Sequence, residues 1–411
     1  MSAEMLMYPF LFIAIFFESF VLVTLLSAPA RSARGRVRGI YTPSVAIIVP
    51  CWNEEHTLAQ TTESLLALDY SANKLHIILV NDGSTDGTAQ VMERFAGNPQ
   101  VTVIHKKNGG KHTALNVGIA ATNAEIVGCL DADSFVEPDA LREIIPSFTS
   151  DRVAATTAAM SVDRPKNILQ HMQNAEYIFG IVMRHAFAGF NGIYVTPGPF
   201  SFYRREVIEK LGGFRHGHHT EDMEMALRLQ REGYVIENAP RARVYTKAPR
   251  TLLGLIAQRT RWTTGFLRNV LIDYRELIGN HRRGALGMLV LPFGLIAIGS
   301  SILVFFTALY LLGKNSLTAF QIRAGIPLSY SLIPHGSFDW FFVPTTTFFL
   351  LAMTAILTSL ALILYAKRLS RTPGAIGKGM LSYAMLYGFV VPLWLMRAIA
   401  DVVLGTQRVW R

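Results

Sequence analysis

Cysteine is nearly missing from this chain. Its 411 residues hold two, Cys51 and Cys129, too few for a disulfide-stapled scaffold, and both are expected to be free buried thiols. Charge is thin as well, at 17% of residues, and acid is outnumbered by 29 Asp and Glu to 39 Lys and Arg. The amino-terminal stretch has Glu4 but no Lys or Arg, and its apolar core is too long for a signal peptide. Residues 1–30 therefore read as a membrane anchor despite the small residues Ala28-Pro29-Ala30.

Apolar residues make up 51% of the chain and are unevenly placed. Residues 5–27, 285–313, 340–366 and 380–404 each approach or exceed the ~20 residues that cross a bilayer as helix. The fourth carries Arg397 and Asp401; the first carries Glu18, which would line a polar path or pair with Arg397. The net charge of +10 could point to nucleic acid, but the basic residues cluster beside the spans. Arg31, Arg34, Arg36 and Arg38 follow the first; Arg282 and Arg283 precede the second; Lys367, Arg368, Arg371 and Lys378 separate the last two. The positive-inside bias places these segments in the cytoplasm and the loop 314–338, with Lys314 and Arg323, outside. The charge then reflects topology and anionic lipid headgroups, not nucleic acid. The division expected is an anchor at 1–30, a cytoplasmic domain at 31–250, amphipathic interface helices at 251–283 and a membrane region of about three helices at 284–411.

In the cytoplasmic part, strand-like runs at 44–50, 75–80, 101–105 and 126–130 alternate with helical stretches at 57–68, from Thr88, and at 112–121. That alternation predicts a parallel sheet with right-handed crossovers, whose ligands bind beyond the strands' carboxyl ends. Polar clusters stand at those ends: Asn53-Glu54, Asp82 and the pair Asp131/Asp133. If the chain stays extended, Asp131 and Asp133 point the same way and form a hard-oxygen site for Mg²⁺ or Mn²⁺. Singly, each cluster is also ordinary: Asp82-Gly83-Ser84 as a turn, Glu54 and Glu55 as helix-dipole acids, Lys111 as a surface lysine, Thr220-Glu221-Asp222 as the cap of a helix at 223–233. Their coincidence on one edge points to a nucleotide site. His216, His218 and His219 invite a zinc reading, but no Cys or fourth ligand is near, and a polar loop fits better. A helix over 251–278, with Leu252, Leu253, Leu255, Ile256, Phe266, Leu267, Val270 and Leu271, suits the membrane surface.

Taken in order, Pro50-Cys51-Trp52-Asn53-Glu54, Asp82-Gly83-Ser84, Gly110-Lys111, Asp131-Ala132-Asp133, Thr220-Glu221-Asp222 and Gln258-x-x-Arg261-Trp262 resemble the membrane-integrated family-2 glycosyltransferases, the group of cellulose, chitin, hyaluronan and poly-N-acetylglucosamine synthases. The likeness covers residues 43–265, and the last motif marks the processive branch. It implies a Rossmann-like, mostly parallel α/β domain with an α-helical transmembrane region. It also implies inverting transfer from a UDP-sugar, UDP-N-acetylglucosamine or UDP-glucose first, onto a β-linked carbohydrate that the spans export across the cell membrane. By the same resemblance Asp82 and Glu54 hold uridine, with Pro50, Asn53 and Gln258 also on the donor side. Lys111 lies near the diphosphate, Asp131 contacts donor and metal, Asp133 ligates the metal, and Arg261 faces the departing UDP. Asp222 is the general base, while Trp262, Gly198, Pro199 and Phe200 line the acceptor site. Asn81-Asp82 and Trp52 depart from the family's usual Asp-Asp and Tyr or Phe. The lack of a second amino-terminal span and of the cellulose gating motif favours the chitooligosaccharide and poly-N-acetylglucosamine synthases. The implied partners are the donor, the carbohydrate acceptor, the bilayer and accessory export subunits. Rival readings are single-sugar transfer to a polyprenyl phosphate and a transporter or scaffold with a dead transferase domain. Retention of Asp82, Asp131, Asp133 and Asp222 argues against the scaffold.

Overall fold

The computed structural model describes residues 7–27, 41–322 and 346–406. The arginine-rich segment 31–38 and most of the loop expected outside the membrane lie beyond the described residues. Helix α1 (Tyr8–Ser27) leads into the unit expected from alternation: β1 (Val45–Cys51), α2 (Leu58–Leu66), β2 (Leu75–Asp82), α3 (Thr88–Glu93), β3 (Val101–Lys106), α4 (Lys111–Ala120) and β4 (Ile126–Cys129). β1 and β4, in the middle of the sheet, are apolar throughout because both sheet faces are covered there, while β2 and β3 carry polar residues at their ends. Val45, Ile47 and Val49 join Ile77 and Leu79 in one core, while Ala46 and Ile48 join Ile78 and Val80 in the other.

The second half departs from a mostly parallel sheet. It runs β5 (Ser134–Val136), α5 (Ala140–Ile144), β6 (Val153–Val162), α6 (Ile168–Gly189), β7 (Ser201–Arg204), α7 (Arg205–Lys210), α8 (Glu221–Arg231) and β8 (Val235–Thr246). The sheet order is β3-β2-β1-β4-β7-β6-β8-β5. β1, β2, β3 and β4 are parallel, as are β6 and β8, but β7 runs antiparallel to both β4 and β6, and β5 antiparallel to β8. The sheet is therefore mixed. The β1/β4 border is a topological switch point, where chains leaving the two strands diverge and open a crevice. Pairing of β1 with β4 ends at Ile48 opposite Cys129, so Pro50, which has no N–H to offer, falls where the ladder has already parted.

Among the described residues, four helices are long and apolar enough to cross a membrane: Tyr8–Ser27, Leu286–Ile322, Thr347–Ser370 and Gly377–Val403. The last three contain α10 (Leu291–Ile322), α11 (Thr347–Ser370) and α12 (Gly377–Val403), and α9 (Leu252–Arg268) precedes them. The second span outruns its expected end at 313, taking Lys314 into the helix, because no proline interrupts the chain before Pro327. The helix expected over 251–278 is α9 followed by a π-turn (Asn269–Asp273) and a 3₁₀ turn (Arg275–Leu277). Its apolar residues divide: Leu252, Leu253, Leu271 and Ile272 are exposed, while Leu255, Phe266, Leu267 and Val270 are buried. The sheet domain and the long apolar helices share a core through α6, where Ala175, Ile178, Ile181 and Val182 meet Val21 of α1 and Leu362, Ile363 and Ala366 of α11. Glu18 accepts a hydrogen bond from Ser359 Oγ (2.5 Å) on α11.

Candidate active site

The loops leaving β1 and β2 are tied to each other before any ligand is considered. Asn53 has φ +56°; its N–H donates to Ser84 Oγ (3.1 Å), and its Oδ1 accepts from Thr85 N–H (2.8 Å). Glu54 N–H donates to Thr88 Oγ1 (2.7 Å), and the Glu54 carboxylate accepts from Thr57 Oγ1 (2.5 Å). Asp82 is buried and accepts from Lys106 Nζ (2.5 Å), Gly109 N–H (3.0 Å) and Gly110 N–H (2.9 Å). It thus braces the turn into α4, where Gly110 takes φ +89°, a conformation a side chain would oppose. Much of the bonding capacity of Asn53 and Asp82 thus serves the loops themselves.

The turn delivers Lys111 to the crevice as the first residue of α4. Its Nζ lies 2.5 Å from Asp131 Oδ1 and 3.2 Å from Glu221 Oε1. Burial opposes the ammonium charge, but Asp131, Glu221 and Asp222 outweigh it and hold the lysine pKa well above its ordinary value. Asp131 and Asp133 reach the site by a turn, not an extended chain: Ser134 N–H donates to Asp131 C=O (2.9 Å). Asp133 Oδ1 accepts from Ser134 Oγ (2.9 Å) and, at 3.4 Å, from Thr246 Oγ1. Burial, then repulsion from Asp131 and Glu54, pushes its pKa up to about 6.

Helix α8 opens on Glu221, two residues earlier than the spacing suggested, which sets Asp222 in its first turn. The helix is anchored by a buried pair, Arg228 to Glu224 (2.8 Å), and Tyr274 Oη donates to Glu224 at 2.5 Å. Asp222 Oδ1 accepts from Met223 N–H (2.8 Å), and its carbonyl accepts from Thr196 Oγ1 (2.8 Å). Burial, then Glu221, pushes the Asp222 carboxyl up to about 6, against the pull of Lys111 and Arg261. Glu221 goes the other way: burial would raise it, but Lys111 and Arg261 hold it below its usual range. Arg261 donates to His219 C=O (2.8 Å). Four carboxylates, Asp131, Asp133, Glu221 and Asp222, and two cations, Lys111 and Arg261, from four segments thus meet at one sheet edge.

Residues 43–265 match the family described as glycosyltransferase like family 2. The chain belongs to that family. Curated relatives include poly-beta-1,6-N-acetyl-D-glucosamine synthase of Staphylococcus epidermidis, 31% identical over 258 residues, 62% of this chain and 61% of that protein. The synthase of the same name from Staphylococcus aureus (strain COL) is 32% identical over 235 residues, 56% of each chain. The chain therefore matches roughly six tenths of its relatives' length or less. Among solved structures, a mannosyltransferase from Pyrobaculum calidifontis, in complex with GDP-Man and Mn²⁺, shares the fold over 96% of this chain and 99% of its own, with a TM-score of 0.59 at 20% identity.

In this glycosyltransferase the segment 198–201 and α9 stand beside the charged cluster. Gly198 is there for closeness: a Cβ on it would come within 2.6 Å of Lys111 Nζ and 2.9 Å of Asp131 Oδ1. Pro199 and Trp262 are partly exposed, but Phe200 is 0% exposed, edge-on to Phe202 at 4.7 Å. Its ring belongs to the core, which corrects the expectation that it lines an acceptor site. Gln258 Oε1 accepts from Arg259 Nη1 (2.8 Å), so that side chain is engaged within its own helix. No cluster of three or more His, Cys, Asp or Glu side chains forms a metal cage among the described residues. His218 instead bonds Asp273 (2.9 Å), and the His216 and His219 rings meet edge to face at 4.2 Å. Two participants were unassigned by sequence reasoning. Glu221 is hidden by its resemblance to a helix-dipole acid, and Arg259 by its place between motif positions.

Proposed function

We propose that the chain transfers a sugar with inversion from a UDP-sugar, UDP-N-acetylglucosamine foremost, to a growing β-linked polysaccharide at the cell membrane. The supporting observation is Asp222: a carboxylate pushed up to about 6 and faced by Lys111 and Arg261 suits a general base beside a diphosphate. In this reading Asp222 takes the proton of an acceptor hydroxyl as its oxygen attacks the anomeric carbon. That attack breaks the bond to UDP on the opposite face and converts an α-linked donor into a β-linkage. Lys111 and Arg261 face the negative charge that grows on the leaving diphosphate. Pro50, Asn53, Glu54 and Asp82 shape the uridine side, and Gln258 holds its place on α9. Trp262 stacks against the acceptor ring.

The donor set fits a divalent cation. Asp133 and Asp131 supply hard oxygens whose mutual repulsion a cation would relieve, and two protein ligands are what Mg²⁺ or Mn²⁺ sites with bound phosphate commonly use. Bound there, the ion would neutralise diphosphate charge. The basic segments beside the spans favour a cytoplasmic catalytic domain.

The test incubates detergent-purified protein with a panel of UDP-sugars and Mn²⁺ or Mg²⁺, following UDP release and product size by mass spectrometry. A ladder of β-linked N-acetylglucosamine supports the reading. One sugar on a polyprenyl phosphate, or no UDP release from any donor, overturns it.

A further inference from the structure

Arg259 lies inside the Gln258–Trp262 segment, yet no role in donor or acceptor binding has fallen to it. It is 3% exposed, an unusual place for a guanidinium, and its two terminal nitrogens have partners while Nε has none. One nitrogen donates to Glu176 Oε2 on α6 (2.9 Å) and another to Gln258 Oε1 (2.8 Å). The guanidinium carbon stands 4.2 Å from the centre of the Trp262 ring and 5.2 Å from that of Tyr177. Arg259 thus stands against two aromatic rings and is pinned at its edge by a carboxylate. The same Glu176 carboxylate acts on Tyr387 of the fourth span, which places the two side chains close together. Tyr387 stacks on Tyr383 at 4.4 Å, and Glu176 sits within the stretch of α6 that packs on α1 and α11, between Ala175 and Ile178.

We propose that Glu176 and Arg259 are positioning residues for the acceptor: together they fix the plane of the Trp262 indole and tie it to the fourth membrane span. The inference rests on the reading of Trp262 as the surface on which an acceptor sugar stacks. A sugar ring stacks on one face of an indole only if the indole is held, and a cation against the ring supplies that hold without blocking the opposite face. The planar guanidinium can lie flat against a ring, whereas a lysine would offer a point charge and no flat contact. Because Glu176 also meets Tyr387, a shift of the fourth span reaches Trp262 through two contacts. The acceptor surface and the membrane helices therefore move as one unit.

Removing one partner would leave the other charge buried and alone, so the decisive variant removes both: Glu176→Gln with Arg259→Met, which keeps volume and eliminates the stranded charge. The readout is the emission of Trp262, isolated by subtracting the spectrum of a Trp262→Phe protein, titrated with a β-linked N-acetylglucosamine tetrasaccharide. The double variant is expected to fold, to bind UDP near the wild-type affinity, and to need about tenfold more tetrasaccharide for the same quenching. In turnover its acceptor KM rises by a similar factor with little change in kcat. A folded double variant that titrates like wild type overturns the proposal and leaves the acceptor reading intact. A wild-type protein whose Trp262 emission ignores the tetrasaccharide overturns that reading itself.

Discussion

Replacing Asp222 by Asn should make the protein more stable and far less active. Asn keeps the size of the side chain, and its Oδ1 can still accept from Met223 N–H, as Asp222 does at 2.8 Å. What it cannot do is take a proton. The sign of the stability change follows from the folded-state pKa, which is raised from 3.8 to about 6 by burial and by Glu221. A carboxyl raised in the folded state carries no penalty below about pH 4, where it is protonated in both states, and its full penalty above about pH 6. Such a raise corresponds to about 3 kcal/mol of unfavourable ionisation. Solvent reaching one side of Asp222 reduces this to about 2 kcal/mol. Asp222→Asn should therefore melt higher than wild type at pH 7, by a margin that shrinks as the pH falls from 6 to 4. Sugar transfer should drop by roughly 10²–10⁴-fold, the usual worth of a positioned base. The wild-type kcat/KM profile should rise through an acid limb near 6, and the variant's residual rate should lack that limb. Melting curves across pH in detergent, with UDP-release kinetics, test all of this. A folded Asn variant that is less stable at pH 7, or that transfers sugar at near-wild-type rates, would refute the assignment.

Two further outcomes follow from the same cluster. Asp133→Ala, or EDTA with intact protein, should abolish transfer, and Mn²⁺ or Mg²⁺ should restore only the EDTA-treated sample; undiminished turnover in chelator would make the Asp131/Asp133 turn structural. Gly198→Ala drives a methyl to within 2.6 Å of Lys111 Nζ, which must swing off Asp131. Because the lysine end is mobile and the pair partly solvated, the stability cost should be only about 1 kcal/mol, while misplacement of Lys111 should lower kcat about 10²-fold. Equal losses in melting temperature and activity, tracking unfolding, would contradict that split.

The half of the fold that was legible is the half built from local signals. β1 and β4 are unbroken apolar runs, the runs 75–80 and 101–105 of β2 and β3 are apolar apart from His76, Thr102 and His105, each is followed by polar residues, and the structure forms them within a residue or two of where the runs end. The antiparallel insertion of β7 between β4 and β6 was not legible, because a four-residue strand such as Ser201–Arg204 has no periodicity to state its direction. The geometry of Asp131 and Asp133 was half legible. Their spacing suits an extended strand or a tight turn, and only the hydrogen bond from Ser134 to Asp131 decides for the turn. Phe200 was placed in the acceptor segment by the family resemblance; its aromatic bulk was the contrary signal, and burial against Phe202 expresses it.

The adjacency of Glu221 and Asp222 explains why one acid can serve as a base. Two neighbouring carboxylates at the start of a helix cannot share one lysine equally. Lys111 lies 3.2 Å from Glu221, whose pKa is held low, while Asp222 is left with burial and the negative charge beside it and is pushed up to about 6. The helix end thus separates two chemically identical groups into a permanent anion and a proton acceptor. The split depends on Lys111 being delivered to Glu221 and Asp131 by the Gly109–Gly110 turn, and that turn depends on Asp82 accepting from both glycine N–H groups. Asp82 therefore reaches the chemistry through the backbone as well as through any nucleotide it meets. Asp82 braces the turn in the structure, and in the proposed reading that bracing is what poises the base 140 positions further along the chain.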